Sequence, residues 1–405
     1  MINKIIERVV YKKSIKNTSL KNILKHATEN TEYYNFFNFN DLKSFPILTK
    51  DIIRERFEDL KSKDLDGRKW WINTSGGSTG EPVKFIQDKE YLLASRSTTY
   101  QAKQKLGYSF GDNFIKLWGD EREILHNTQS LKNILINKVK NITFLNCFNM
   151  TQENMLKFIE KIKNKKPTLI VAYAQAMYEL ANFAEQNELK IYNVGAIITS
   201  AGTLYPFMRE AIEKNFNTKV YNRYGSREVG NIACEEPNIE GLVITNDIYV
   251  EIVDENGKKC EDGIEGEIIV TSLINYAMPL IRYKIGDRGI LNTSKYNFPI
   301  LEKVSGRNVN MFKKEDETLI DGEYFTHLMY HIEWIKKFQI IQKEFNFIVI
   351  KIVMYFEKKE EDLLYIENGI NKVMGKDCKV KFYFVDEIKP LKSGKFLYTI
   401  CELDK

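Results

Sequence analysis

The sequence predicts an α/β, multidomain protein: a large N-terminal domain with parallel sheets and a small β-rich subdomain, followed by a small α+β C-terminal domain. Three observations carry this reading. Between residues 110 and 205 short apolar strands alternate with helices, the pattern of parallel crossover units. After Val220 the chain changes to short β segments separated by turn signals such as Glu255-Asn-Gly257. A last stretch of about a hundred residues resumes the alternation and is long enough to fold as its own domain.

Residues 1–70 read mostly as helix. One helix covers 20–27, and a charged one covers 50–61, capped by Thr49 at the end of the extended stretch Phe45-Pro-Ile-Leu-Thr-Lys50. A loop of glycines and hydroxyls fills 74–80, an extended run follows at 83–86, and a long helix over 89–106 is closed by Gly107. Strands at 114–118, 169–173 and 196–199 alternate with helices at 151–164, 174–186 and 206–215, with Thr151 as a cap and Pro167 as a break. The β segments beyond Val220 are 242–253, 266–271 and 289–291. A strand at 345–356, a helix at 360–374 and a strand at 380–385 make up the last part, behind the linker candidate Ser305-Gly-Arg-Asn308. The domains are accordingly 1–307 and 308–405.

A chain of 405 residues suggests two or three domains at about 150 residues each. Its 43% hydrophobic and 28% charged residues exclude a disordered, collagen-like or disulfide-scaffold protein. The net charge of +5 is small for this length and gives no indication of nucleic-acid binding. The 5 cysteines, Cys147, Cys234, Cys260, Cys378 and Cys401, show no C-x-x-C pair, which favours reduced thiols and a cytoplasmic location. Of the 4 histidines, His327 and His331 share a helix face, but Leu328 stands where a metalloprotease motif needs glutamate. The first residues lack a signal-peptide core, and no stretch reaches the roughly 18–20 apolar residues of a transmembrane helix.

The densest signal is Asn73-Thr-Ser-Gly-Gly-Ser-Thr-Gly-Glu-Pro82. Such a run packs no core, but it can wrap an anion, since glycines allow successive N–H groups to point inward and hydroxyls add hydrogen bonds. It is not a Walker A loop, because Glu81 and Pro82 follow Gly80 where Lys-Ser or Lys-Thr is required. It contains a literal G-x-S-x-G around Ser78, which in a hydrolase would mark a nucleophile on a strand-to-helix elbow. The extended residues after Pro82 argue for a strand there instead. A flexible surface loop is the bland alternative.

The loop closely resembles the phosphate-loop signature of the adenylate-forming superfamily, and further motifs of that family appear in its order. Tyr224-Gly-Ser-Arg-Glu228 resembles Tyr-Gly-x-x-Glu. Arg282-Tyr-Lys-Ile-Gly-Asp287 resembles Tyr-x-Thr-Gly-Asp, with Ile285 in place of the usual threonine. Ser305-Gly-Arg307 resembles the hinge motif, whose hinge residue falls on Val309 with Asn310 next. Pro390-Leu-Lys-Ser-Gly-Lys395 resembles the C-terminal Ser-Gly-Lys loop. The motifs span residues 74–395, nearly the whole chain. The compact size and Phe45-Pro-Ile-Leu-Thr-Lys50 are similar to the phenylacetate–CoA ligase-like branch, and Leu117-Trp-Gly119 to its members linked with capsular polysaccharide biosynthesis.

The resemblance implies ATP-dependent activation of a small carboxylate to an acyl-adenylate, then transfer to CoA, a carrier-protein thiol or an amine. It implies that Thr74, Ser75, Gly76, Gly77, Ser78, Thr79 and Gly80 hold the β/γ-phosphates. Tyr224, with Gly225, faces adenine, Asp287 accepts from the ribose hydroxyls, and Arg307 contacts ribose or phosphate. Ser200, Ala201 and Gly202 line the adenine and acyl pocket. Glu228 helps hold Mg²⁺, and Lys395 is the catalytic lysine, carried in and out by a mobile C-terminal domain. A carboxylate is already anionic, so the reaction needs positioning and charge neutralisation rather than a general base. Two rival readings stand beside this one: a nucleotide-binding pathway protein that has lost catalysis, and a Ser78 hydrolase.

Overall fold

A computed structural model describes residues 18–75, 83–118, 137–147, 150, 152–200, 202, 204–305, 311–316, 318–329, 332, 334–388 and 398–403. The chain divides into two compact units, the smaller built mainly on Ser305–Lys405.

The larger unit opens with helix α1 (Leu20–Asn30), which buries Ile23, Leu24 and Ala27 on one stripe. In α2 (Lys50–Glu55) the Thr49 hydroxyl accepts the Ile52 N–H at 3.3 Å, the expected cap. This helix is shorter than its charged run, because from Arg56 the chain continues as turns that place Leu60 in the core. Strands β1 (Trp70–Thr74) and β2 (Lys84–Asp88) form an antiparallel hairpin. Helix α3 (Lys89–Lys105) follows at once: the Asp88 carboxylate accepts the Tyr91 N–H at 2.7 Å and is itself held by Arg68 at 2.8 Å. Gly107, at φ 84°, ends it as expected.

Then come β3 (Phe114–Trp118), β4 (Ile142–Asn146), α4 (Gln152–Lys165), β5 (Leu169–Tyr173), α5 (Ala174–Gln186), β6 (Ala196–Ser200), α6 (Pro206–Phe216) and β7 (Val220–Ser226). The strands β4, β3, β5, β6 and β7 lie side by side in that order, all parallel. Tyr100, Tyr108 and Phe110 pack on Phe114, Leu169, Val171, Ala196 and Ile198, so α3 covers this face of the sheet.

The β-rich part continues with β8 (Gly230–Glu235), β9 (Leu242–Ile244), β10 (Ile248–Val253), β11 (Glu265–Ser272), β12 (Tyr283–Asn292) and β13 (Ile300–Ser305). It is the antiparallel end of the same sheet, which has 11 strands in the order β10-β11-β12-β13-β9-β8-β7-β6-β5-β3-β4. β7 makes the change: Val220–Asn222 pair parallel with β6, and Arg223–Ser226 pair antiparallel with β8. The expected 242–253 segment is two strands, interrupted at residues 245–247. β12 is fixed from the N-terminal segment, where Arg282 reaches the Phe45 carbonyl at 2.9 Å and Glu251 at 3.2 Å, and the Leu48 N–H bonds the Arg282 carbonyl at 2.9 Å.

The smaller unit contains β14 (Met311–Lys313), β15 (Leu319–Asp321), α7 (Gly322–Met329), β16 (Ile335–Glu344), β17 (Phe347–Met354), α8 (Glu360–Met374), β18 (Lys379–Phe384) and β19 (Thr399–Cys401). Its main sheet runs β18-β17-β16-β19, with a central antiparallel hairpin and parallel outer strands. α8 carries Glu360, Glu361 and Asp362 in its first turn, where acids suit the helix dipole, and buries Leu363, Ile366, Ile370 and Val373. No helix among the described residues is long and apolar enough to cross a membrane.

Candidate functional site

The glycine-rich segment joins the two strands of a hairpin. At its root the Ser75 N–H donates to the Val83 carbonyl, and the Val83 N–H donates to the Ser75 hydroxyl, each at 2.9 Å. Ser75 is 5% exposed, so its side chain closes the base of the loop. Thr74 pairs with Lys84 one step below. Gly76, Gly77, Ser78, Thr79 and Gly80 lie outside the described residues. Their flanks are antiparallel strands, and the chain leaves the loop as β2, without the helix a nucleophile elbow needs.

Asn73 and Gln87 connect this hairpin to the next motif. The Asn73 amide donates to Gln87 Oε1 at 3.2 Å. The Gln87 amide in turn donates to the carbonyls of Arg227 at 3.0 Å and Glu228 at 3.3 Å. The residues 224–228 end β7 and turn into β8. A Cβ on Gly225 would sit 2.4 Å from the Gly230 carbonyl oxygen, a distance no side chain tolerates, which is why the motif has glycine there.

Two tyrosines tie this motif to the one on β12. The Tyr224 hydroxyl donates to Asp287 Oδ2 at 2.7 Å. The Tyr283 hydroxyl donates to Glu228 Oε1 at 3.1 Å. Each motif therefore places its first aromatic residue on the other motif's last carboxylate. Asp287 is partly exposed and Tyr224 half-buried, whereas Glu228 and Tyr283 are buried. On the far side Tyr91 is buried, and its phenol is pushed up by that burial, then by Asp247 and Glu228.

Ser200 ends β6 beside β7. Its hydroxyl donates to the Arg223 carbonyl and accepts from Arg223 Nε, both at 3.3 Å. Gly202 follows at φ 120°. Of the residues expected at the site, Thr74, Ser75, Ser200, Gly202, Tyr224, Gly225, Glu228 and Asp287 are described. The structure joins Tyr224 to Asp287 directly. Ala201, Arg307 and Lys395 lie outside the described residues, as do Thr151 and Gly306, Asn308, Val309 and Asn310 of the linker and hinge. Asn73, Gln87, Arg223 and Tyr283 carry no signal in the chain that singles them out, although Tyr283 stands inside a motif already recognised.

No group of three or more His, Cys, Asp or Glu that could hold a metal occurs among the described residues. A cavity of about 340 Å³ opens on the opposite face of α3, lined by Thr98, Lys105, Glu236, Thr245 and Phe298 among others, and none of the expected residues borders it.

Residues 312–402 match the family model described as the CapK C-terminal domain. Across 95% of this chain the sequence is 24% identical to Protein CapK of Staphylococcus aureus, covering 88% of that protein. It is 30% identical to the phenylacetate-coenzyme A ligase of Aromatoleum evansii over 40% of this chain and 41% of that one. Among solved structures, a 2-hydroxyisobutyryl-CoA ligase in the postadenylation state, in complex with R3-HIB-AMP, shares the fold with a TM-score of 0.63 at 15% identity, covering 95% of this chain and 88% of that one.

Proposed function

The chain belongs to the adenylate-forming superfamily, in its capsule-related branch, as an AMP-forming ligase, and from that premise we propose that it activates a small carboxylate with ATP and hands the acyl group to CoA. A carboxylate oxygen attacks the α-phosphorus, the bond to the β-phosphate oxygen breaks, and pyrophosphate leaves. A thiolate then attacks the acyl carbon and AMP departs. CoA is favoured over a carrier thiol or an amine because two of the relatives are named as CoA ligases.

The observation that supports this reading most is the double link between residues 224–228 and 283–287. It holds one carboxylate, Asp287, at a partly open edge where a ribose diol can reach it, beside an aromatic ring suited to a purine face. The second carboxylate, Glu228, is held by the neutral hydroxyl of Tyr283. A single buried carboxylate fits Mg²⁺, which takes most of its ligands from phosphate and water. When bound, that ion would neutralise the pyrophosphate leaving group.

The other roles follow the motifs. Thr74, Ser78, Thr79 and the loop's N–H groups hold the β/γ-phosphates. Ser200, Ala201 and Gly202 border the adenine and acyl pocket. Arg307 contacts ribose or phosphate. Lys395, on the smaller unit, spans the α-phosphate and the attacking carboxylate. Residues 308–405 act as a domain that moves between the half-reactions, in the cytoplasm, where ATP and CoA are supplied. We place the product in cell-surface polysaccharide biosynthesis by likeness to the CapK relative.

The test is ATP–pyrophosphate exchange against a panel of carboxylates, followed by AMP release with CoA. Exchange that depends on an acid, and CoA-dependent turnover, are the expected results. Absence of exchange with nucleotide still bound supports the non-catalytic reading. Labelling of Ser78 by a fluorophosphonate without ATP supports the hydrolase.

A further inference from the structure

Strand β2 is held along both edges. On one it pairs with β1, with Trp71 opposite Gln87 and Asn73 opposite Phe85. On the other, the Asn275 amide donates to the Ile86 carbonyl at 2.9 Å, and the Ile86 N–H donates to Met278 Sδ at 3.3 Å. Ile86 and Asn275 are fully buried. The path of the strand thus has anchors that do not involve the Gln87 side chain.

That side chain crosses instead to the turn between β7 and β8. Ser226 and Gly230 are the last paired residues of this hairpin, so the carbonyls of 227–229 lie outside its ladder. The Gln87 amide nitrogen donates to two of them, Arg227 at 3.0 Å and Glu228 at 3.3 Å. The Gln87 oxygen accepts from Asn73 Nδ2 at 3.2 Å, and Asn73 Oδ1 accepts the Thr74 N–H at 2.9 Å. Each amide in this chain of bonds has one orientation. Two carbonyls require the Gln87 NH₂, which leaves its oxygen for a donor. The Thr74 N–H requires the Asn73 oxygen, which leaves the Asn73 NH₂ to be that donor.

Gln87 is 5% exposed. Burial by itself asks only for an apolar side chain of this length, since a buried amide must find polar partners. Here the amide joins the strand pair that carries Thr74 to the turn that follows Tyr224 and contains Glu228. The Tyr224–Asp287 and Tyr283–Glu228 bonds do not pass through it.

We propose that Gln87 is a positioning residue that presets the spacing between the phosphate end and the nucleoside end of the nucleotide site, and so makes the site prefer a nucleotide that reaches both. The proposal rests on the adenylation reading of the same site. A triphosphate engages the strand pair through its β/γ-phosphates and the turn through its nucleoside. It gains fully from both only if their spacing is fixed before it binds. AMP lacks the outer phosphates and uses the nucleoside end alone.

The experiment is calorimetry on the full chain with α,β-methylene-ATP, which cannot lose pyrophosphate, and with AMP, in one Mg²⁺ buffer. The wild-type protein should bind the triphosphate more tightly. Gln87→Met keeps length and removes the amide, so two carbonyls lose a donor; triphosphate binding should weaken about tenfold, and AMP binding less than about twofold. Asn73→Ala, at a half-buried position, removes the donor to Gln87 and should lose part of the same preference. It carries the test if Gln87→Met does not fold. The double variant should lose no more than Gln87→Met alone, because the two residues act in series. Equal weakening of both nucleotides overturns the proposal, since that is what a loosened fold would give. An unchanged triphosphate preference in either variant, or additive losses in the double variant, overturns it as well. A wild-type chain that binds neither nucleotide removes the adenylation reading and this proposal together. A wild-type chain that binds both and exchanges pyrophosphate, with the preference intact in the variants, removes this proposal alone.

Discussion

The hydroxyl of Tyr224 and the carboxylate of Asp287, 63 positions apart in the chain, are joined by a 2.7 Å hydrogen bond. The bond engages Oδ2 of a carboxylate that is partly exposed. Tyr224→Phe keeps the ring and loses only this donor. A hydrogen bond to a charged group contributes about 1.5–3 kcal/mol, and less at a partly open site. We expect AMP binding to weaken about three- to tenfold, and the preference for AMP over 3′-deoxyAMP to shrink. Calorimetry with both nucleotides checks this, and an unchanged preference would remove the orienting role.

Ser75 and Val83 close the glycine-rich loop at its base. Ser75→Ala leaves the buried Val83 N–H without its acceptor, at about 1–3 kcal/mol. Stability should fall by that order in urea unfolding, and ATP affinity should fall with it as the loop's ends separate. A variant as stable as the parent would show that the base is held by other means.

Lys103 makes stability depend on pH in a defined direction. Burial, then Arg223, Lys116 and Lys140, push its ammonium down to about 7 in the folded chain from 10.5. Between those values the unfolded chain binds the extra proton, so stability from this group rises with pH; below about 7 its penalty is full and constant. Lys103→Met removes the penalty. The variant should be more stable than the parent at pH 6, by about 1–2 kcal/mol after allowing for screening at a partly open site. The gap should close towards pH 10. Urea titrations at pH 6, 8 and 9.5 test this, and parallel curves for the two proteins would contradict it.

Lys395, in the proposed role, stabilises charge that develops only during attack at phosphorus. Lys395→Ala should slow pyrophosphate exchange by about a hundred- to thousandfold, on the order of 2.7–4 kcal/mol, with ATP affinity nearly unchanged. Transfer from a synthetic acyl-adenylate to CoA should persist. Exchange at near the parent rate would refute the catalytic role, and equal loss of both half-reactions with the fold intact would refute the moving domain.

Much of the fold was legible because local signals agreed with the final structure. Strands 114–118 and 169–173 and helices 174–186 and 360–374 have the expected limits, since apolar runs and helix periodicity there point the same way. β7, β8 and β16 were not expected. Val220–Ser226 sets Asn222 and Arg223 side by side, without alternation, and carries an internal glycine. Only its neighbours on both sides make it a strand.

The sequence by itself determined the order of the motifs, the glycine- and hydroxyl-rich run that cannot pack a core, and the separation of a last α+β part. These are properties of short segments, fixed by backbone freedom, hydroxyl chemistry and hydrophobic period. Only the tertiary structure decided that the parallel and antiparallel halves are one sheet, that Tyr283 belongs to Glu228 and Tyr224 to Asp287, and that Lys116 and Arg223 come near enough to Lys103 to act on its charge. The reason is physical. Pairing partners and charge clusters depend on which strands become neighbours, and that is set by packing across the whole core rather than by any local run of residues.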